Sequence, residues 1–380
     1  MRFQVPTRIY FGSGMMSRLK EIVKENFEGA GLFLVTDRGI IDSGIAEKVL
    51  SQYPEIQVFD GIEQNPKHST VNKAGEIVRT LKPDGIIGLG GGSSLDAAKA
   101  VALLATNPGS IEDYEGKGKY RNPPLPVLAI PTTCGTASEV TWVSVVTHTG
   151  RMFKMSIKGP HMFPAVALVD PDLLMTLPPP LVASTGMDAL THAIEAFTVK
   201  AATFMTDIFA REALRLIFQS LERAYRNIKA DKEAREKIMM GSMIAGMAFG
   251  NSDVGAVHCI AEAVGSLYDT PHGVANSVFL PFVMEFNLPA AKGRYAEVAR
   301  MAGIKEKDDE AASRRLIHKI KELSVSLNIP SFKDLGIEWD KFPELAEKSF
   351  QNNSNPSNPR EAGVSDYLAI LENAYSGVAS

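Results

Sequence analysis

The chain of 380 residues has only two cysteines, Cys134 and Cys259, so a disulfide framework does not hold it together and a reducing compartment fits. It also lacks basic excess. Its 40 Lys and Arg stand against 44 Asp and Glu, and a formal net charge of -4 leaves no footprint for a phosphate backbone, which makes nucleic acid a poor partner. No apolar run approaches the roughly 20 residues that span a bilayer, and the opening MRFQVPTRIYFGSG has no apolar signal-peptide core. We expect no membrane partner and a cytoplasmic location. Internal repeats and low-complexity tracts are missing as well. What is present is 45% hydrophobic and 22% charged with both signs interspersed, the balance of a globular protein long enough for two domains.

Up to about residue 180, short apolar segments rich in β-branched residues alternate with helix-like stretches, the pattern of a parallel sheet with crossover helices. Residues 32–35, 86–89, 126–130 and 166–169 read as buried strands. Pro178-Pro179-Pro180 cannot continue a helix or a central strand and reads as a hinge. Beyond it, apolar positions recur at three- and four-residue intervals over 183–198, 204–227, 233–249 and 255–267, with further periodic stretches at 294–302, 310–326 and 364–375. Residues 352–359, Asn-Asn-Ser-Asn-Pro-Ser-Asn-Pro, form the most loop-like segment. The expected division is an α/β domain over 1–180 and an all-α domain over 181–380.

Gly90-Gly91-Gly92-Ser93-Ser94 links strand 86–89 to a helix whose pattern starts at Leu95, with the serines placed to cap it. Glycines let backbone N–H groups approach an anion, and the helix dipole favours negative charge, so the junction suits a pyrophosphate. Its spacing is neither G-x-G-x-x-G nor G-x-x-x-x-G-K-[ST], and a tight strand-to-helix turn is the plain alternative. Asp37, after strand 32–36, can accept hydrogen bonds from an adenosine ribose and would repel a 2′-phosphate, favouring NAD over NADP, or it is an ordinary turn aspartate. Thr132, Thr133 and Thr136 present hydroxyls at the end of strand 127–130, where open α/β sheets bind ligands, unless they form only a Thr-rich loop.

Asp188 and His192 are four residues apart and project from one helix face. His258 lies on a Gly/Ala-rich helix and His272 in the turn Thr270-Pro271-His272-Gly273, which a short helix folded back brings together. Any one of these histidines is more simply a hydrogen-bonded core residue. As a set, three imidazoles and a carboxylate point to one catalytic divalent ion of intermediate hardness, iron(II) or zinc, whereas calcium or magnesium wants more oxygens. His148, His161 and His318 sit in polar settings without such pairing, and His68 lies in a loop beside Asn65-Pro66. Glu195 shares a face with His192 and reads as structural or as fixing an imidazole orientation.

The segments GGGSSLDAAK (90–99), IPTTCGTASEVT (130–141), ALVDPDLLMTLPPPLVASTGMDALTHAIEAF (167–197) and TPHGVANSVFLPFVMEFN (270–287) resemble the iron-containing alcohol dehydrogenase family, and the match extends over nearly the whole chain. The resemblance implies a Rossmann-like nucleotide-binding α/β domain followed by a helical metal-binding domain, a dehydroquinate synthase-like architecture with a cleft between the two. It implies Asp188, His192, His258 and His272 as ligands, and cofactor contacts at Asp37, Asn65, Gly91, Gly92, Ser93, Asp96, Thr132, Thr133, Thr136 and Lys154. Phe249 belongs, by the same resemblance, to the substrate and nicotinamide pocket. The implied activity is hydride transfer between NAD(H) and a small primary alcohol or aldehyde whose oxygen the metal polarises, in a homodimer or larger homo-oligomer.

Departures from the family pattern stand at Lys67, where a Thr usually follows Asn-Pro, and at Glu262, where many members carry a proton-transferring His four residues after the ligand matching His258. The proton is then expected to leave through the cofactor ribose and Glu262, unless Glu262 only supports a ligand imidazole. Asp253 either joins Glu262 in an acidic rim suited to a small hydroxylated alcohol or caps the following helix. Two rival readings are a polyol dehydrogenase of the glycerol dehydrogenase type, which differs in its metal motif, and a metal-dependent hydrolase, which leaves the glycine turn unexplained. Cys134 and Cys259 read as packing residues.

Overall fold

The computed structural model describes residues 3–27, 29 and 31–377. The chain divides into two compact units, with the boundary between Leu177 and Pro178.

The first unit contains β1 (Arg8–Phe11), α1 (Leu19–Asn26), β2 (Leu32–Val35), α2 (Arg38–Asp42), α3 (Glu47–Leu50), β3 (Gln57–Phe59), α4 (His68–Leu81), β4 (Gly85–Gly90), α5 (Gly92–Thr106), β5 (Gly116–Lys117), β6 (Val127–Pro131), β7 (Val143–His148), β8 (Phe153–Lys158) and β9 (Val166–Val169). A six-stranded sheet runs β1-β9-β6-β4-β2-β3, with every pairing parallel, and β5-β8-β7 form a smaller sheet. Strands β2, β4, β6 and β9 are buried along their whole length, because helices cover both sheet faces. On one face Leu34, Ile87, Leu89 and Leu128 pack with Leu19, Ile22 and Val49. On the other, Phe33, Val35 and Ile86 pack with Val71, Val78 and Val101. Double-sided burial is why these strands read as unbroken apolar runs. The edge strands β1 and β3 carry exposed positions and no such run. One expectation needs correcting here: α5 begins at Gly92, Gly91 is its cap residue, and neither serine caps it.

The second unit is helical: α6 (Pro179–Thr198), α7 (Phe204–Asn227), α8 (Lys232–Phe249), α9 (Ala256–Tyr268), α10 (His272–Met301), α11 (Asp309–Ser326), α12 (Phe342–Phe350) and α13 (Val364–Ser376). Pro179 and Pro180 open α6 instead of interrupting the chain, since a first-turn residue has no intrahelical use for its N–H. His272 is not in a turn. It is the first residue of α10, which continues through Pro281 and Pro289. α6 is buried from Gly186 through Thr198, so its polar residues sit in the core. Among the described residues, no helix is long and apolar enough to cross a membrane.

Candidate metal centre and nucleotide turn

α6 carries Asp188, His192 and Glu195 at 1%, 5% and 4% exposure. Burying such groups costs several kcal/mol unless they are paired, so a core helix with three of them needs partners from elsewhere. α9 supplies His258 and the N-terminus of α10 supplies His272. His192 Nδ1, His258 Nε2 and His272 Nε2 lie 3.9, 4.0 and 3.9 Å from Asp188 Oδ1. Donor atoms of Asp188, His258 and His272 all fall within 4.8 Å of one another. His192 is stacked face to face on Phe249, with ring centres 4.1 Å apart, and lies 4.5 Å from the His258 ring.

Glu195 determines the state of His258. Its Oε2 lies 2.6 Å from Nδ1, and the same carboxylate accepts the N–H of Gly255 at 2.9 Å and of Val257 at 2.8 Å. A carboxylate on Nδ1 holds the ring proton there and leaves the Nε2 lone pair facing Asp188, the tautomer a metal ligand requires. The approach depends on Gly255: a Cβ at that position would stand 3.0 Å from Glu195 Oε1. Burial opposes protonation of His258, yet the carboxylates of Glu195, Asp188 and Glu262 together outweigh it and raise the ring's pKa. Burial likewise opposes charge on Asp188, and the imidazoles of His192, His272 and His258 with the Asn276 amide still hold its carboxyl below the usual carboxylate range.

Asn276 was not among the sequence candidates. One turn beyond His272 on α10, its Nδ2 donates to Asp188 Oδ1 at 2.6 Å and lies 3.1 Å from Nε2 of both His258 and His272. Its buried Oδ1 has no hydrogen-bond partner among the described residues. Asp188, His258 and His272 converge on one centre, with His192 outside that mutual set but 3.9 Å from Asp188, and donors of this kind fit a divalent transition ion and are too poor in oxygen for calcium.

Asp253 and Glu262 depart from expectation. Asp253 does not cap α9, whose cap residue is Gly255. Its Oδ1 accepts the Val254 N–H and the Ser354 hydroxyl, each at 2.9 Å, and its Oδ2 accepts the Ser357 hydroxyl at 2.7 Å. Glu262 Oε2 accepts Asn352 Nδ2 at 2.6 Å. Both acids are thus hydrogen-bonded to the 352–358 segment.

In the first unit, the ends of β2, β4 and β6 gather the nucleotide candidates. A Cβ on Gly92 would lie 2.5 Å from Thr136 Cγ2, so only glycine lets the start of α5 pass the threonine loop with its N–H groups uncovered. Asp37 Oδ1 accepts the Ile40 N–H at 3.1 Å, capping α2, and Oδ2 accepts the Ser94 hydroxyl at 2.8 Å. The threonine loop continues from β6, in register with β4 at Gly90 and Pro131. Lys154 Nζ donates to Asn65 Oδ1 at 2.9 Å, both residues being buried. Asp96 is engaged otherwise: it accepts the Ser138 hydroxyl at 2.5 Å and the Val145 N–H at 3.0 Å, and Lys99 Nζ stands 3.1 Å away. Lys99 and Glu139 were unforeseen. Both are buried, and burial pushes the Glu139 carboxyl up to about 7. His68 opens α4 and is not in a loop, and its ring stacks on His148 at 4.5 Å, so His148 does have a histidine partner.

The chain matches the model described as iron-containing alcohol dehydrogenase over residues 6–171 and that of the C-terminal part of the Fe-containing alcohol dehydrogenase family over 182–375. It is 38% identical over 384 residues to a 1,3-propanediol dehydrogenase of Citrobacter freundii, covering 98% of both chains. It is 36% identical over 383 residues to an NAD-dependent methanol dehydrogenase of Bacillus methanolicus, covering 98% of this chain and 99% of that one. A crystal structure of 1,3-propanediol oxidoreductase aligns with a TM-score of 0.93 at 38% identity, over 98% of this chain and 99% of that one.

Proposed function

Because the chain belongs to the iron-containing alcohol dehydrogenase family, we propose that it moves hydride between NAD(H) and a small primary alcohol or aldehyde, with Asp188, His192, His258 and His272 holding one divalent ion, iron(II) in preference to zinc. The observation that carries the ligand assignment is the 2.6 Å contact between Glu195 and His258 Nδ1, which turns a lone pair toward Asp188 in the middle of a buried core. Held there, an ion supplies Lewis acidity toward an alcohol or carbonyl oxygen.

The protein's own side chains do the rest. Phe249 packs on His192 and fixes its ring plane, and His272 closes the ligand set from the start of α10. Glu262 is the group we assign to proton movement, held by Asn352. For the cofactor, N–H groups around Gly91, Gly92 and Ser93 take the pyrophosphate, and Asp37, oriented by Ser94, takes the ribose. Thr132, Thr133, Thr136, Asn65 and Lys154 complete the contacts, while Asp96 secures the 138–145 stretch. The charge on Asp37 supports NAD over NADP, as does the name of the methanol-oxidising relative. Small substrates are supported by the relatives named for 1,3-propanediol and methanol.

A cytoplasmic location is supported by Cys134 and Cys259, neither of which is in a disulfide. A homo-oligomer is the assembly that membership of the family implies. The test is absorbance at 340 nm with NAD and a panel from methanol to butanol and 1,3-propanediol, before and after metal removal. NADH formation that depends on iron(II) or zinc is expected; metal-dependent ester hydrolysis without NADH formation would overturn the reading.

A further inference from the structure

α9 carries His258 in its first turn, yet it begins without a side-chain cap of its own. Its first N–H groups, which have no intrahelical partner, are taken by distant residues. Glu195 takes those of Gly255 and Val257, and Asn358 Oδ1 takes that of Ala256 at 3.1 Å. Asn358 is fully buried and is itself fixed on every side. It exchanges two amide hydrogen bonds with Asn287 of α10, at 3.0 and 2.7 Å, and donates to Arg360 O at 2.7 Å.

Neighbouring residues repeat the pattern. Ser354 and Ser357 donate to Asp253 before α9, and Asn352 donates to Glu262 one turn past His258. Asn355 Oδ1 accepts the Tyr367 hydroxyl at 2.8 Å, and Ser357 O accepts the Lys200 N–H just after α6 at 2.8 Å. Polar composition predicts a solvated loop, but Asn352, Ser354 and Asn358 are all buried. The segment bonds to α9 itself, to α10 and to the chain leaving α6, the three helices that bear the proposed ligands. A buried polar network of this kind holds packed elements in one arrangement when its members are paired.

We infer that residues 352–358 form a clasp that fixes α9 against α6 and α10, with Asn358 as a positioning residue that determines how firmly the ion is retained. This rests on the ligand assignment above. Partners behind a ligand change metal affinity by about 10–100-fold when removed, and Asn358 acts in that way through the helix backbone instead of through the imidazole.

The experiment loads the full-length protein with cobalt(II), records its visible d–d bands, and follows release to excess chelator. Asn358→Ala removes the acceptor for Ala256 and both bonds to Asn287, and release about tenfold or more faster, with altered d–d bands, is expected. The Ser354→Ala, Ser357→Ala double variant, which leaves Asn358 in place, serves if the first does not fold, and should release several-fold faster. Ile317→Ala in α11, a buried position outside residues 352–358, serves as a control lowering Tm. Release at the wild-type rate from both clasp variants overturns the clasp, and so does equally fast release from Ile317→Ala. If the wild type itself retains no cobalt, the ligand assignment fails first and the clasp falls with it.

Discussion

The strand ends of the first unit and the helical core of the second both concentrate polar groups in buried surroundings, but they are built from opposite materials. At the ends of β2, β4 and β6 the working groups are backbone N–H groups and hydroxyls, which suit an anion. Between α6, α9 and α10 they are a carboxylate and imidazole lone pairs, which suit a cation. A helix N-terminus offers its donors as backbone groups, shaped there by glycines and the Asp37–Ser94 contact, and the buried Lys99 beside Asp96 lies further along the same helix. A buried carboxylate among imidazoles has a desolvation cost that neighbours must offset. The candidate metal centre therefore comes with Glu195, Asn276 and Asn358 behind it.

The two sites should consequently be separable by mutation. Asp188→Asn removes the anionic ligand and is expected to lower kcat/KM by at least about 10³-fold with loss of bound metal, while leaving NAD affinity within about twofold. Metal analysis and fluorescence titration with NADH check both halves. A parallel loss of NADH binding would show that the two constellations are not independent.

Gly92→Ala is the converse. Its new Cβ would meet Thr136 Cγ2 at 2.5 Å, so either the threonine loop or the start of α5 must shift. Weakening of NAD binding by about tenfold, or ~1.4 kcal/mol, is expected, with metal content intact. Unchanged NAD affinity would mean that the glycines serve the turn alone.

Asp37→Gly should have a more selective effect. Removing the charge relieves repulsion of a 2′-phosphate and raises kcat/KM for NADP by about tenfold. Ser94→Ala, which frees the Asp37 carboxylate without removing it, should raise KM for NAD a few-fold and leave the preference for NAD in place. A switch to NADP in Ser94→Ala would place the discrimination elsewhere.

Legibility in sequence follows the same division. β2, β4, β6 and β9 are readable because burial on both faces leaves unbroken apolar runs, and α6 to α9 because their apolar positions keep helical spacing. α10 is not, because Pro281 and Pro289 signal breaks that neighbouring helices override. Asp188 and His192 announce themselves by their spacing on one helix. Asn276 and Asn358 do not, since a buried amide has no periodic signature, and Asn358 acts on a residue 102 positions away. Asp253 was misjudged for a related reason: its partners, Ser354 and Ser357, are about as distant, so only the adjacent helix start was visible from sequence.

Glu139 tests how the strand-end region carries a second buried acid beside the Lys99–Asp96 pair. Its carboxyl is buried, burial raises it to about 7, and its own backbone N–H and the ammonium of Lys99 only partly counter this. Between the usual carboxylate range and about pH 7 the folded protein then binds a proton that the unfolded chain has released. Stability falls wherever the native state holds more protons, so this contribution is fully present at acid pH and is lost as pH rises toward 7. Glu139→Gln cannot ionise and should flatten that part of the profile. The expected gain over wild type is on the order of 1–3 kcal/mol at pH 8 relative to pH 5, with kcat unchanged. Thermal melts of both proteins at the two pH values decide it. A pH dependence identical in the two proteins would mean that Glu139 stays charged in the folded state, its burial offset by its own backbone N–H and the nearby ammonium of Lys99.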